Sequence, residues 1–397
     1  MKALKSLRLH ISLFGRTNVG KSSLLNAITN QQVSIVSDTK GTTTDVVEKS
    51  CELFPIGAVT FLDTAGIDDS TNLSKLRIEK TLKVLNRTDI AVLITTSQGF
   101  SNYEINLTNK FKELEIPYIV IINKSDIEKI SKQKLDEIKN YTKNIYEMSA
   151  TNDKNITDNF VSALVKIVPD EFVNPPSILG DKVKKSDVVI LVTPIDKEAP
   201  KGRLILPEVQ TIRDLLDNDC ISVVVQQNNL ENAINLLKKK PQLVVTDSQA
   251  FKEVNSIVPN YINLTSFSIL FARLKGDLHT FINGANKIKT LKPHDKVLIL
   301  ESCSHHAIDD DIARVKIPKL LTKKLGFELN FEYKSGHDFP DITPYKLIIH
   351  CGACMTNRRE VLSRILLANQ KNVPITNYGI AISYCLRILP RAIKMFE

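Results

Sequence analysis

A chain of 397 residues is long enough for two to three domains, each burying its own core. Its composition, 43% apolar and 24% charged, is that of a folded globular protein, and no apolar run approaches the roughly 20 residues needed to span a bilayer. The net charge of +9 comes from scattered lysines, such as Lys182 to Lys185 and Lys238 to Lys240. No arginine-rich stripe interleaves with aromatics, so a solvated basic surface is expected and no nucleic-acid or membrane partner.

The first strand is predicted over Leu7 to Phe14, which argues against reading the N-terminus as a signal peptide. Gly15-Arg16-Thr17-Asn18-Val19-Gly20-Lys21-Ser22 comes next, then a helix opening at Ser23. This is the phosphate-loop pattern in its required strand–loop–helix context. Its glycines let backbone N–H groups wrap phosphates at a helix N-terminus, where the dipole favours negative charge. Gly15, Asn18, Val19, Gly20, Lys21, Ser22 and Ser23 are expected to line the nucleotide, with Lys21 on the β- and γ-phosphates and Ser22 on Mg2+.

The remaining switch parts come in order. Gly41 to Asp45 sits where the first switch loop belongs, with Thr43 the expected magnesium ligand and Thr42 the alternative. Asp63-Thr64-Ala65-Gly66 ends the strand Val59 to Leu62, so Asp63 supports magnesium through water and the Gly66 N–H senses the γ-phosphate. Asn123-Lys124-Ser125-Asp126 ends the apolar strand Tyr118 to Ile122. The Asp126 carboxylate accepts from guanine N–H groups that adenine lacks, so the nucleotide is GTP or its product GDP. Ser149 and Ala150 back the base. Lys21, Thr43, Asp63 and Gly66 are the expected hydrolytic residues.

This set resembles the translation-factor-related GTPases, closest to those of tRNA modification and ribosome assembly with Gly-x-x-Asn-x-Gly-Lys-Ser loops. In those relatives the loop asparagine helps bind a potassium ion that plays the part of an arginine finger, and Asn18 matches it. Ile67 comes after Gly66 where many small GTPases carry a glutamine. The resemblance implies slow hydrolysis quickened by K+.

Asn174-Pro175-Pro176-Ser177 breaks the pattern. Beyond it, strands are predicted at Asp187 to Val192, Ile221 to Val225 and Leu243 to Thr246, with amphipathic helices at Pro207 to Leu216 and Leu230 to Lys238. Lys201-Gly202-Arg203 reads as a solvated turn. A small α/β module without polar machinery fits self-association, hence a homodimer.

Phe267, Leu270, Phe271, Leu274, Leu278, Phe281 and Ile282 recur at helical steps and predict one helix with an apolar face, His279 beside it. A strand to Leu300 then leads into a loop with Cys303, His305 and His306, and a strand to Ile349 into His350-Cys351-Gly352-Ala353-Cys354. If these strands pair in parallel, both groups emerge at the carboxyl edge of one sheet, where open α/β folds keep their sites. A third unit, Val373 to Gly379, repeats the layout. Cys51, Cys220 and Cys385 stand alone in apolar segments and read as core thiols. The clustered three need reduced thiolates, which points to a cytoplasmic protein. A redox pair, structural zinc and a 4Fe-4S cluster with three thiolates all remain open from the residues alone.

A phosphate-loop GTPase followed by Cys-x-His and His-Cys-x-x-Cys resembles the FeFe-hydrogenase maturation GTPases over the whole chain. The resemblance implies that Cys303, Cys351 and Cys354 hold a 4Fe-4S cluster. It makes His305 and His350 either iron ligands or hydrogen-bonding neighbours of the ligands. It also implies a scaffold that receives a diiron precursor made with radical-SAM maturation enzymes and hands it to apo FeFe-hydrogenase. The competing expectation is a GTPase of tRNA modification or ribosome assembly with a zinc-stabilised C-terminal domain. The fold class is α/β in three domains. A Ras-like P-loop GTPase domain occupies 1–170, a small α/β dimerisation domain 171–265, and an α/β cluster domain with a parallel sheet 266–397.

Overall fold

Short runs of Val, Ile, Leu and Phe build the centre of each sheet, because strands covered on both faces must be apolar throughout. The computed structural model describes residues 8–30, 36–37, 47–64, 83–173, 176–195, 204–302, 311–337, 339–354 and 356–397. It divides into two units, Met1–Pro175 and Pro176–Glu397.

In the first unit the strands are β1 (Leu9–Phe14), β2 (Val36–Ser37), β3 (Val47–Leu53), β4 (Gly57–Asp63), β5 (Ile90–Thr95), β6 (Tyr118–Ile122) and β7 (Ile145–Glu147). They form a seven-stranded sheet in the order β2-β3-β4-β1-β5-β6-β7. The pairings of β4-β1-β5-β6-β7 are parallel, while β3 runs antiparallel to its neighbours. Register sets Leu13 beside Asp63, Phe14 beside Leu93, and Thr95 beside Ile122. The carboxyl ends of β1, β4 and β6 therefore share one edge. The helix Lys21–Asn30 buries Lys21, Leu24, Leu25, Ile28 and Thr29, the spacing of one helical face against the sheet.

The second unit holds two four-stranded sheets, each wholly parallel. The first contains β8 (Val188–Val192), β9 (Ile221–Val225), β10 (Leu243–Thr246) and β11 (Asn263–Ser266), ordered β11-β10-β8-β9. The other contains β12 (Lys296–Glu301), β13 (Asn330–Ser335), β14 (Leu347–His350) and β15 (Ile375–Asn377), ordered β13-β12-β14-β15. One apolar core runs through both sheets, joining Ile190, Val192 and Val244 to Leu298, Ile348 and Ile375. The expected parallel pairing of the two cysteine-bearing strands is present, with Leu300 opposite His350.

The apolar stripe from Phe267 to Ile282 is two helices, Phe267–Lys275 and Leu278–Asn286. Gly276 ends the first, and the Asp277 side chain accepts from the Thr280 N–H to start the second, so a glycine–aspartate pair overrides the continuous periodicity. Edge strands β11 and β13 carry too much polar sequence to stand out as apolar runs.

Candidate functional site

At the β1 edge the phosphate loop has its expected form. Gly15 adopts φ +150, and a Cβ there would lie 2.4 Å from the Ile94 carbonyl oxygen. Gly20 adopts φ +95, and a Cβ would meet Asn123 Nδ2 at 2.3 Å. Lys21 Nζ donates to the carbonyls of Gly15 (2.7 Å) and Arg16 (2.8 Å), which curls its ammonium under the loop. Asn18 is left-handed, at φ 64. Ser22 Oγ donates to Asp63 Oδ2 at 3.1 Å, so the two expected magnesium-side groups already meet. Burial pushes the Asp63 carboxyl up, opposed by Ser22 and by the charges of Lys21 and Lys49.

Asn123 joins the phosphate loop to the base-recognition loops. Its Nδ2 donates to the Val19 carbonyl at 2.9 Å, and its Oδ1 accepts from the Ala150 N–H at 3.1 Å. Asp126 is exposed and accepts from Asn152 Nδ2 at 2.6 Å. Hydrogen bonding from Ser149 and, more weakly, Asn152 holds its carboxyl below the usual range. Asp126 thus stays a charged acceptor facing solvent, as guanine recognition needs. Lys124 is left-handed at φ 61, which turns the chain between Asn123 and Asp126. Thr42, Thr43 and Gly66 lie outside the described residues.

The second constellation sits at the carboxyl edge of the β13-β12-β14-β15 sheet. Ser302, the residue after β12, donates its N–H to Cys351 Sγ at 3.1 Å, and its Oγ lies 3.3 Å from the same sulfur. The Ala353 N–H donates to it at 3.4 Å, which Ala353 achieves through a left-handed φ of 52. Burial pushes the Cys351 thiol up. Hydrogen bonding from His350, Ser302 and the Ala353 N–H opposes burial and brings the thiol below its ordinary value. A half-buried cysteine whose sulfur is surrounded by donors is suited to the thiolate form that ligates iron or zinc. Cys354 lies three residues on and is half-buried. Cys303 and His305 lie outside the described residues, as does His306. Among the described residues no three or more His, Cys, Asp and Glu side chains form a metal-holding group.

His350 is buried and engaged at both ring nitrogens. Its Nδ1 lies 2.7 Å from the Cys351 carbonyl and therefore carries the proton, leaving Nε2 to accept from Arg364 Nη1 at 2.7 Å. Arg364, itself buried, also donates to Glu360 at 2.7 Å and to the Gly336 carbonyl at 2.8 Å. Glu360 meets His337 Nδ1 at 3.0 Å.

Several working residues carry no local sequence signal. Lys275 is 3% exposed and donates to the carbonyls of Ala353 (2.7 Å), Cys354 (3.2 Å) and Thr356 (2.7 Å), clamping the cysteine loop. Burial lowers its ammonium to about 8, against the charges of Cys354, Cys351 and Glu360. In the first unit, Arg16 Nε donates to the fully buried Glu104 at 2.8 Å, anchoring the phosphate loop to the helix Asn102–Glu113. Only Ser101-x-x-Glu104, a capping box, hints that Glu104 is special.

Known proteins match the chain in three stretches. Residues 178–276 match the hydrogen maturase F dimerization domain and residues 279–395 the hydrogen maturase F tetramerization domain. Residues 10–124 match a 50S ribosome-binding GTPase. The GTPase Der of a Nitratiruptor species is 36% identical over 134 residues, 33% of this chain and 29% of that protein. The tRNA modification GTPase MnmE of Helicobacter pylori is 38% identical over 147 residues, 36% of this chain and 31% of that protein. The chain thus spans about a third of the length of the curated relatives it matches. The solved structure of a variant of Aquifex aeolicus Era bound to GDP.AlF4- is 21% identical, with a TM-score of 0.33, covering 58% of this chain and 98% of that one. The first unit is a P-loop GTPase domain.

Proposed function

This chain belongs to the hydrogen maturase F family, whose two domain models together match more than half of it, and on that premise we propose that it is a GTP-hydrolysing scaffold for hydrogenase maturation. Cys303, Cys351 and Cys354 would hold a 4Fe-4S cluster. The observation that carries this reading is the Ser302 N–H on Cys351 Sγ, because Cys303 is the next residue in the chain after Ser302. The cluster, with three thiolates, would offer one iron position open to an exogenous ligand on a diiron cargo. Lys275 holds the loop, and His350, occupied on both nitrogens, serves as a neighbour of the ligands rather than a ligand.

Lys21 neutralises phosphate charge, and Ser22 with Thr43 holds Mg2+, with Asp63 supporting it through water. Asn18 would bind K+. Gly66 senses the γ-phosphate, and Asp126, backed by Ser149 and Ala150, selects guanine. Nucleotide state biases contacts with radical-SAM maturation enzymes and apo FeFe-hydrogenase. Dimers form through 178–276 and pair through 279–395. A cluster held by thiolates would need a reducing compartment, which supports a cytoplasmic location. Among the described residues no helix is long and apolar enough to cross a membrane.

The test is anaerobic reconstitution with iron and sulfide, followed by metal analysis and absorption spectroscopy. Brown protein with iron and sulfide that Cys351→Ala abolishes is expected. Colourless zinc protein that binds RNA with steep salt dependence overturns the reading. GTP turnover is expected to be faster in potassium than in sodium buffer, and equal rates remove the role of Asn18.

A further inference from the structure

Tyr378 opens the helix Tyr378–Cys385 immediately after β15, whose last residue, Asn377, pairs in register with His350. Tyr378 is therefore placed beside the turn that carries Cys351. Its backbone is fixed there on both sides. The Asn377 side chain caps the helix by accepting from the Ile380 N–H at 2.9 Å, and Asn377 Nδ2 donates to the Ser268 carbonyl at 3.1 Å. The ring packs against the core shared by the two sheets.

The phenol oxygen is the unusual part. It is buried and has no hydrogen-bond partner among the described residues. A buried hydroxyl without a partner loses its hydration with nothing in return, and folded proteins leave few of them. A Tyr at this position rather than Phe is thus explained by an acceptor that arrives with a ligand. Its electrostatic surroundings locate that acceptor. After burial, the groups that most strongly hold the phenol proton in place are the charges of Cys351, Glu301 and Asp311. Glu301 ends β12 and Cys351 comes directly after β14. Glu301 is already neutralised by Arg314, whose guanidinium reaches both of its carboxylate oxygens at 3.2 and 2.8 Å. Asp311 is likewise held by Arg314, at 3.1 Å, which leaves the Cys351 side as the place where a bound group could bring a further acceptor.

We infer that the Tyr378 hydroxyl donates a hydrogen bond to a sulfur of the iron–sulfur cluster bound through Cys351, a thiolate or an inorganic sulfide. The inference rests on the cluster-scaffold reading. A donor on a cluster sulfur stabilises the reduced, more negative state and raises the reduction potential. Without cluster, the hydroxyl has no hydrogen-bond partner among the described residues.

The experiment uses the full chain, wild type and Tyr378→Phe, each reconstituted anaerobically with iron and sulfide and then reduced. Proton hyperfine couplings are recorded in H2O and D2O by electron–nuclear double resonance, and midpoint potentials by redox titration. The wild type is expected to show an exchangeable proton coupling that Tyr378→Phe loses, with the potential of the variant shifted to more negative values. Without cluster, the variant is expected to unfold at the same temperature as the wild type or higher, which a purely structural hydroxyl would not allow. Identical exchangeable couplings and potentials overturn the inference while the scaffold stands. A wild type that takes up no iron and sulfide overturns both.

Discussion

Ser302 N and Cys351 Sγ lie 3.1 Å apart, across 49 residues of sequence. The contact exists because β12 and β14 are parallel neighbours in register, so the residues leaving one strand lie beside those leaving the other. It gives the Cys351 sulfur a donor before any metal arrives.

That environment makes Cys351 more readily ionised than Cys51 or Cys385. Because its donors hold it below the ordinary 9.0, alkylation of Cys351 by iodoacetamide is expected to rise at lower pH than that of an ordinary thiol. Cys51 and Cys385, each pushed up to about 11 with burial the leading cause, are expected to label only in strong alkali. A lowered thiol also adds stability that is complete above its unfolded value and is lost as pH falls through the lower folded value. Site-resolved mass spectrometry checks the order of labelling, and a midpoint near 9 for Cys351 would refute it.

Lys275 donates to three carbonyls of the cysteine loop from the end of a helix packed between the two sheets. Lys275→Met leaves those acceptors without their shared donor, at an expected cost of about 2–4 kcal/mol. Amide exchange at 351–354 is expected to accelerate, and iron uptake to fall. Unchanged exchange would mean the loop is held by other contacts.

The Arg364–Glu360 pair is buried on both sides. Arg364→Met removes the cation from a buried carboxylate, and thermal unfolding is expected to show a loss of about 3–5 kcal/mol. Adding Glu360→Gln is expected to recover much of that loss, since the stranded charge is then gone. Additive losses in the double variant would argue that the two residues act separately.

Asp126 is an exposed acceptor, and its exchange for a group with an N–H donor reverses half of what guanine needs. Asp126→Asn is expected to weaken GTP binding about 100-fold or more. Xanthosine triphosphate, which presents a carbonyl where guanine presents an amine, is expected to bind the variant better than GTP does. Calorimetric titration with both nucleotides checks the exchange, and unchanged GTP affinity would remove Asp126 from base recognition.

Phosphate-loop and base-recognition motifs were legible because each is a local run whose spacing does chemical work. Gly15 to Ser22, Asp63 and Asn123 to Asp126 stand where their strands end, and strand ends are readable from apolar runs. The same held for the strands before Ser302 and Cys351. The break at Gly276–Asp277 was harder to see, since the apolar periodicity continues through it while the caps interrupt the hydrogen bonds.

Sequence alone determined the GTPase domain, the two cysteine-bearing strands and the chemistry on offer at their ends, because these depend on neighbours a few residues apart. Tertiary structure decided which groups surround the sulfur. Arg16 meets Glu104 across 88 residues, and Lys275 meets Ala353 across 78. His350 is claimed by Arg364 from a separate helix. Such pairings have no local period, so only the packed fold can show whether a buried polar group finds a partner in the protein, as His350 does, or has none among the described residues, as with the Tyr378 hydroxyl.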